Sequence, residues 1–367
     1  MEQQVRRWSR TKQEPVRRPR PSRLRIFAPS LLLLLCGGAV GAFWTFASWC
    51  TAQEIDAWLG REAALGREWS CPDRKIGGFP FRIEVSCAKP TFSGVAEGRA
   101  VRGQLAGAVA VAQVYAPSHV IVEAEGPLEV RDETGANLSA AWELLRASLA
   151  GKPGAALERI SVEGKGLTVV AANAAGSLET GARSLELHLR RTPERPPEDG
   201  AFDVAATLNG ARIAPLDAML GGSDATDATV LATVTRAEPL GGHGLKSELD
   251  RWREAGGRVQ LTSLTLLKGT KRVDAAGSLG LDELHRAQGR IEVTLTGLDE
   301  LLQSMGVGSR TAAIGGLIAS VLGGKKADVE PPPGATGALK GVTLPLRLDA
   351  GKAFLGPIPV ARLTPVY

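Results

Sequence analysis

From residue 71 onward, apolar and polar positions mostly take turns. In Phe79, Phe81, Ile83, Val85 and Cys87 the apolar side chains alternate with Pro80, Arg82, Glu84 and Ser86, and a period of two places each set on its own face of a half-buried strand. The alternation returns in Leu185, Leu187 and Leu189; in Phe202, Val204, Ala206 and Leu208; in Ile291, Val293 and Leu295; and in Val342, Leu344, Leu346 and Leu348, with Gly-bearing turns between the runs. One apolar face and one wetted face is the habit of antiparallel sheets. The pattern predicts a mainly β body of antiparallel sheet with a few short helices.

Helical spacing is rarer. Ile55, Trp58, Leu59 and Leu65 predict a helix over Gln53 to Trp69, and Trp142, Leu144, Leu145 and Leu149 predict another over Ser139 to Ala150, with Ser139 as its cap. A third is expected near Leu245 to Ala255. Thr311 to Leu322 is Ala- and Gly-rich and too short to cross a membrane, so it is expected to be a buried helix. Lys325 to Gly337, with Pro331, Pro332 and Pro333 in a row, reads as an extended linker.

Upstream of the body the pattern changes. Ile26 to Trp49 holds no charged residue and includes Leu31 to Leu35 unbroken; 24 residues at ~1.5 Å each cross a ~30 Å hydrocarbon core. This is one transmembrane helix, with Trp44 and Trp49 where an interfacial aromatic belt lies. A cleaved signal peptide has a shorter apolar run; Thr45 and Ala47 make only a weak cleavage site, and an uncleaved anchor is the favoured reading.

Charge then changes the picture. The chain is formally +5, but residues 1–25 hold eight Arg and one Lys against Glu2 and Glu14, or +7, which leaves −2 for the rest. The basic character belongs to the tail. It sets topology, placing the N-terminus in the cytoplasm and the body in the periplasm of a bacterial inner membrane, and gives the body no reason to bind nucleic acid. The organisation read from these features is a cytoplasmic tail over 1–25, the anchor over 26–49, a juxtamembrane helix over 50–70, β modules over 71–210 and 211–324, the linker over 325–337 and final strands over 338–367.

Cys36 and Cys50 belong to the span or its edge, leaving Cys71 and Cys87 in the body. An oxidising compartment would join them, with about 3 kcal/mol of stabilisation from loop closure; two unpaired buried thiols are the alternative. The peptide Ala174 to Leu178 recurs as Ala275 to Leu279, each copy downstream of a Trp (Trp142, Trp252), and suggests two related β modules joined edge to edge.

The order of basic tail, span, short helix, Cys71, then Gly77-Gly78-Phe79-Pro80-Phe81-Arg82 and Cys87 resembles an uncharacterised family of Gram-negative envelope proteins classed as a domain of unknown function. Leu346 to Gly351 followed by Phe354 to Pro359 is similar to that family's C-terminal signature and, more loosely, resembles the ends of AsmA-like proteins. The AsmA-like resemblance implies an inner-membrane anchor carrying an elongated, curved antiparallel sheet whose concave apolar face handles lipid. It brings no catalytic residues.

Pro80 lacks an N–H and suits the start or edge of a strand, which would put Phe79 and Phe81 on one face and Arg82 on the other. Two readings stand: a core strand pinned by the cysteines, or Phe79 and Phe81 at the mouth of an apolar groove with Arg82 on a lipid phosphate or a partner's acid. Enzyme chemistry finds little support. Gly164-Lys165-Gly166 and Gly241-Gly242-His243-Gly244 lack phosphate-loop spacing, no Ser stands in a nucleophile elbow, and His119, His188, His243 and His285 are too scattered for a metal. Asp282-Glu283 and Asp299-Glu300 are adjacent and diverge on either regular element. No enzyme, cofactor or metal is expected. The functions that remain are a groove that shields acyl chains of a phospholipid or other envelope lipid, and a scaffold that pairs with an envelope protein by strand addition.

Overall fold

A computed structural model describes residues 23–96, 98–151, 157–214, 216–217, 222–237, 245–297, 342–355 and 358–367. Helix α1 runs from Arg23 to Ala64 as a single element, so the span and the juxtamembrane helix are continuous. It stops earlier than Trp69 because Gly66 takes a left-handed φ of 75° and Arg67 N–H donates back to the Glu62 carbonyl, a glycine-terminated helix end. α1 is long and apolar enough to cross a membrane.

Beyond α1, the described residues form a second helix and one antiparallel sheet of 18 strands. They are β1 (Glu68–Ser70), β2 (Lys75–Gly77), β3 (Arg82–Ala88), β4 (Thr91–Ala96), β5 (Arg99–Gln113), β6 (Ala116–Asp132), β7 (Asn137–Ala141), β8 (Leu144–Gly151) and β9 (Leu157–Asn173), followed by β10 (Gly176–Arg191), β11 (Phe202–Ile213) and β12 (Thr226–Val234). Helix α2 (Leu245–Glu254) leads to β13 (Val259–Lys268), β14 (Lys271–Leu281), β15 (Ala287–Thr296), β16 (Val342–Asp349), β17 (Lys352–Leu355) and β18 (Ile358–Arg362). Most strands pair with their neighbours in sequence. The exceptions share long partners: β3 and β4 both pair with β5, while β7 and β8 lie end to end between β6 and β9.

The helix expected over Ser139 to Ala150 is therefore corrected to two strands. Trp142, Leu145 and Leu149 fit a helical stripe, but Leu145, Ala147 and Leu149 also alternate with Arg146 and Ser148, and the ladders offered by β6 and β9 select the period of two. α2 stands where a helix was expected. The repeated pentapeptide sits in unlike places: the first copy spans the β9–β10 turn, the second lies within β14. β11 runs through residues 210 and 211, paired with β10 and β12 on both sides of that point. The segments 311–322 and 325–337 and His243 lie outside the described residues.

Substantial contacts between elements join laddered strands to one another, and α1 to β1 and β2. Buried apolar side chains are few and small among the described residues: Ala140, Ala201, Ala211, Ala232, Ala353 and the larger Leu344. A sheet backed by a second layer would bury large aliphatic residues along its inner face. This one leaves them half-buried.

Candidate functional surface

The strands' alternation becomes a surface only through register. Ile76 of β2 faces Val85 of β3, and following each pairing in turn leads through Ala110, Val122, Ala147 and Val162 to Leu187 of β10. The row continues through Ala206, Val230, Leu264, Ala275 and Val293 to Leu344 of β16. It crosses thirteen strands, and every residue in it is Ala, Val, Leu or Ile. Twelve steps of about 4.8 Å make a track roughly 58 Å long.

A second row runs alongside it, from Ile83 through Val120, Ile160, Leu189 and Ile291 to Leu346, interrupted only by Gly277. Two residues along a strand separate the rows by about 7 Å, so a strip about 14 Å wide presents on the order of 800 Å². Only Leu344 of the first row is buried; the other members are half-buried.

The residue behind each member of the first row is polar almost throughout. Ser86, Glu123, Arg146, Glu163, Glu186 and Thr207 follow one another on the opposite face, and Thr229, Thr265, Asp274, Thr294 and Thr343 continue it. These groups satisfy each other across strands. Arg146 Nη2 donates to Glu163 Oε2 at 2.7 Å, Thr265 Oγ1 to Asp274 at 2.8 Å, and Thr294 and Thr343 hydroxyls lie 2.8 Å apart. Hydrogen bonds from Lys165 and then Arg146 hold the Glu163 carboxyl below the usual range, and Arg272 does the same for Asp274.

α1 meets the sheet at its first strands. Trp58 of the helix lies against Trp69 of β1 (ring centroids 5.9 Å apart), and Trp69 against Phe92 of β4 (5.2 Å). Phe92 pairs with Gly103, where a Cβ would come within 2.1 Å of the ring, so glycine is what lets Phe92 lie flat over β5. From there a shorter apolar row passes Val130, Leu138 and Ala171 to Leu178, lining a depression of about 570 Å³. Asp56 of α1 also holds Arg74 at 2.8 Å.

Phe79, Pro80 and Phe81 are not strand residues, as the alternation had suggested; they form the turn between β2 and β3, and β3 begins at Arg82. Gly78 makes that turn with a φ of 94°, a conformation other residues rarely adopt. Phe79 and Phe81 are 60% and 69% exposed. Arg82 lies on the polar face with its guanidinium 3.0 Å from Glu84. Cys71 and Cys87 form a disulfide, Cα atoms 5.7 Å apart, tying the β1–β2 connection to the apolar side of β3.

Two polar clusters went unread in the sequence because each joins distant segments. The fully buried Lys268 amine donates to Asp217 and to the Asp224 carbonyl, closing one end of the apolar face. Asp250 of α2 accepts from the Tyr367 hydroxyl at 2.9 Å and lies 3.1 Å from His285, whose ring stacks on Tyr367. Burial, then the Asp250 bond, pushes the Tyr367 hydroxyl upward in pKa. The first ties the β11–β12 connection to β13, and the second ties Tyr367 to α2 and to the turn before β15. No group of three His, Cys, Asp or Glu side chains suited to a metal occurs among the described residues.

The sequence over residues 44–364 matches a family described as an uncharacterized protein conserved in bacteria, DUF2125. The chain belongs to this family. The DUF2125 match begins at Trp44 within α1 and runs nearly to the C-terminus, so it takes in the whole apolar surface. No curated protein and no solved structure matches the chain.

Proposed function

We propose that this DUF2125 protein is a non-enzymatic component of the bacterial envelope, anchored in the inner membrane by α1, whose periplasmic sheet holds lipid acyl chains along its aliphatic face. One observation carries the reading: an unbroken aliphatic row across thirteen strands, most of it only half-buried among the described residues. Orientation draws support from the +7 tail before α1, which favours a cytoplasmic N-terminus, and from the disulfide, which belongs to an oxidising compartment.

The energetics suit a chain and not a polar ligand. At ~0.8 kcal/mol per buried methylene, an acyl chain of about sixteen carbons half covered on the face gains about 6 kcal/mol with no polar contact at all. The rings of Trp58, Trp69 and Phe92 link the anchor helix to β1 and β4 of the sheet. Native mass spectrometry of the detergent-purified full chain tests the reading. A phospholipid retained in fixed stoichiometry through delipidation is the expected result, and a chain that is lipid-free in every preparation overturns it.

A second reading is strand addition. β18 pairs with β17 and has no other strand partner among the described residues. Pro359 removes a donor from that short strand, a feature by which sheets discourage pairing at their edges, so the acyl-chain reading is the stronger.

A further inference from the structure

The geometry points to a membrane-contacting lip, separate from the long apolar strip: we infer that the turn bearing Phe79 and Phe81, with the β5–β6 hairpin tip at Tyr115, sits in the lipid interface of the bilayer that α1 crosses. This inference rests on α1 as a span and is independent of what the sheet carries.

The position follows from Trp44. It lies on α1, and its indole N–H donates to the Arg82 carbonyl at 2.8 Å while its ring meets Phe79 edge-on at 5.6 Å. The turn is thus fixed at the depth of residue 44. The uncharged run of α1 begins at Ile26, directly after Arg25. Eighteen steps at ~1.5 Å put Trp44 about 27 Å along the helix, at the far boundary of a ~30 Å hydrocarbon core. Sliding the core toward the C-terminus carries Trp44 deeper into lipid, since the next charge is Glu54. Sliding it the other way would drag Arg25 and Arg23 into hydrocarbon. Each allowed placement leaves the turn at the boundary or inside it.

The side chains at that depth suit the interface. Phe79, Phe81 and Tyr115 are 60%, 69% and 74% exposed. The hairpin tip is held to the turn by the Val114 N–H, which donates to the Phe81 carbonyl at 3.0 Å, so the tip and the turn lie side by side. Two phenylalanines beside a tyrosine and a tryptophan make the composition of an interfacial aromatic belt. The contact is with a lipid surface: the rings offer an apolar body, and Tyr115 a hydroxyl for the headgroup region.

Site-directed fluorescence on the full chain in phosphatidylcholine vesicles tests this. In a Cys36→Ser, Cys50→Ser background, an environment-sensitive dye is attached at Phe81→Cys, at Tyr115→Cys, or at Ala175→Cys in the exposed β9–β10 turn at the opposite ends of the strands. Lipids carrying a nitroxide high on the acyl chain should quench the dye at 81 and 115 several-fold more than at 175, and aqueous iodide should show the reverse order. Equal quenching by iodide at all three sites, with no response to the nitroxide lipid, overturns the inference. The Tyr115→Cys protein keeps both phenylalanines, so a perturbation caused by losing Phe81 does not decide the outcome. Lipid retention by the sheet is a separate measurement and can fail or succeed without moving this one.

Discussion

Val162 and Glu163 are neighbours in β9, yet they belong to surfaces built on different principles. Glu163 stands in a row of polar side chains that close their bonds with one another across strands; Arg146 and Lys165 both reach it. Val162 stands in a row of aliphatic side chains that the ladder sets beside one another and that stay half-buried. The polar face is complete as it is. The aliphatic face has the composition of a core but is only half-buried, a mismatch that the proposed acyl ligand would resolve.

The comparison breaks most decisively if a charge can be placed on the apolar row without consequence. Val230→Asp should lower retained lipid about tenfold or more, which corresponds to at least ~1.4 kcal/mol of lost binding. Because Val230 is half-buried, the same change should cost below about 2 kcal/mol in folding, whereas a residue under a protein layer would lose more. Thr229→Asp, one position away on the exposed polar face, should change neither lipid retention nor urea midpoint. Unfolding of the Val230 variant would mean that the row is a covered core.

An effect on stability alone, not on lipid retention, belongs to the disulfide, whose Cys87 lies on the apolar face. Replacing Cys71 and Cys87 together by Ser removes a loop closure across 16 positions and should cost about 3 kcal/mol in oxidising buffer, read as a lower Tm. An unchanged Tm would deny the bridge a role in holding the first edge.

Smaller again is Arg146→Ala on the polar face. It breaks an exposed cross-strand pair at 2.7 Å, worth about 0.2–1 kcal/mol by urea unfolding, with lipid retention intact.

The least effect is that of pH. Glu163 has a folded pKa below its ordinary value, so its contribution is complete above about 4.5 and is lost as pH falls through the lower folded value. A Tm that falls from about pH 6 to about pH 3, and falls less in Glu163→Gln, is expected.

Much of this was legible in the residues. The uncharged run before Gln53 announced α1, and Phe202, Val204, Ala206 and Leu208 announced β11 and its faces. Register was not legible, because nothing in Leu187 alone says that it meets Val162 on one side and Ala206 on the other. The aliphatic row is a property of the pairings, so it emerged only with them. The stretch from Ser139 to Ala150 misled because its leucines satisfy both periods, and the choice was made by β6 and β9 from outside the segment. The Phe-Pro-Phe motif stands out in the sequence, but its alternation is that of a turn leading into a strand. What fixed its meaning was Trp44, 35 positions before Phe79 and on another element.

The central claim, that lipid and not protein covers the aliphatic face, is tested most directly by photo-crosslinking in native membranes. A benzophenone side chain at Leu187 should give, on irradiation, an adduct with the mass of a lipid, and the same probe at the adjacent Glu186 should give none. An adduct joining Leu187 to protein, whether this chain or another, would contradict the account.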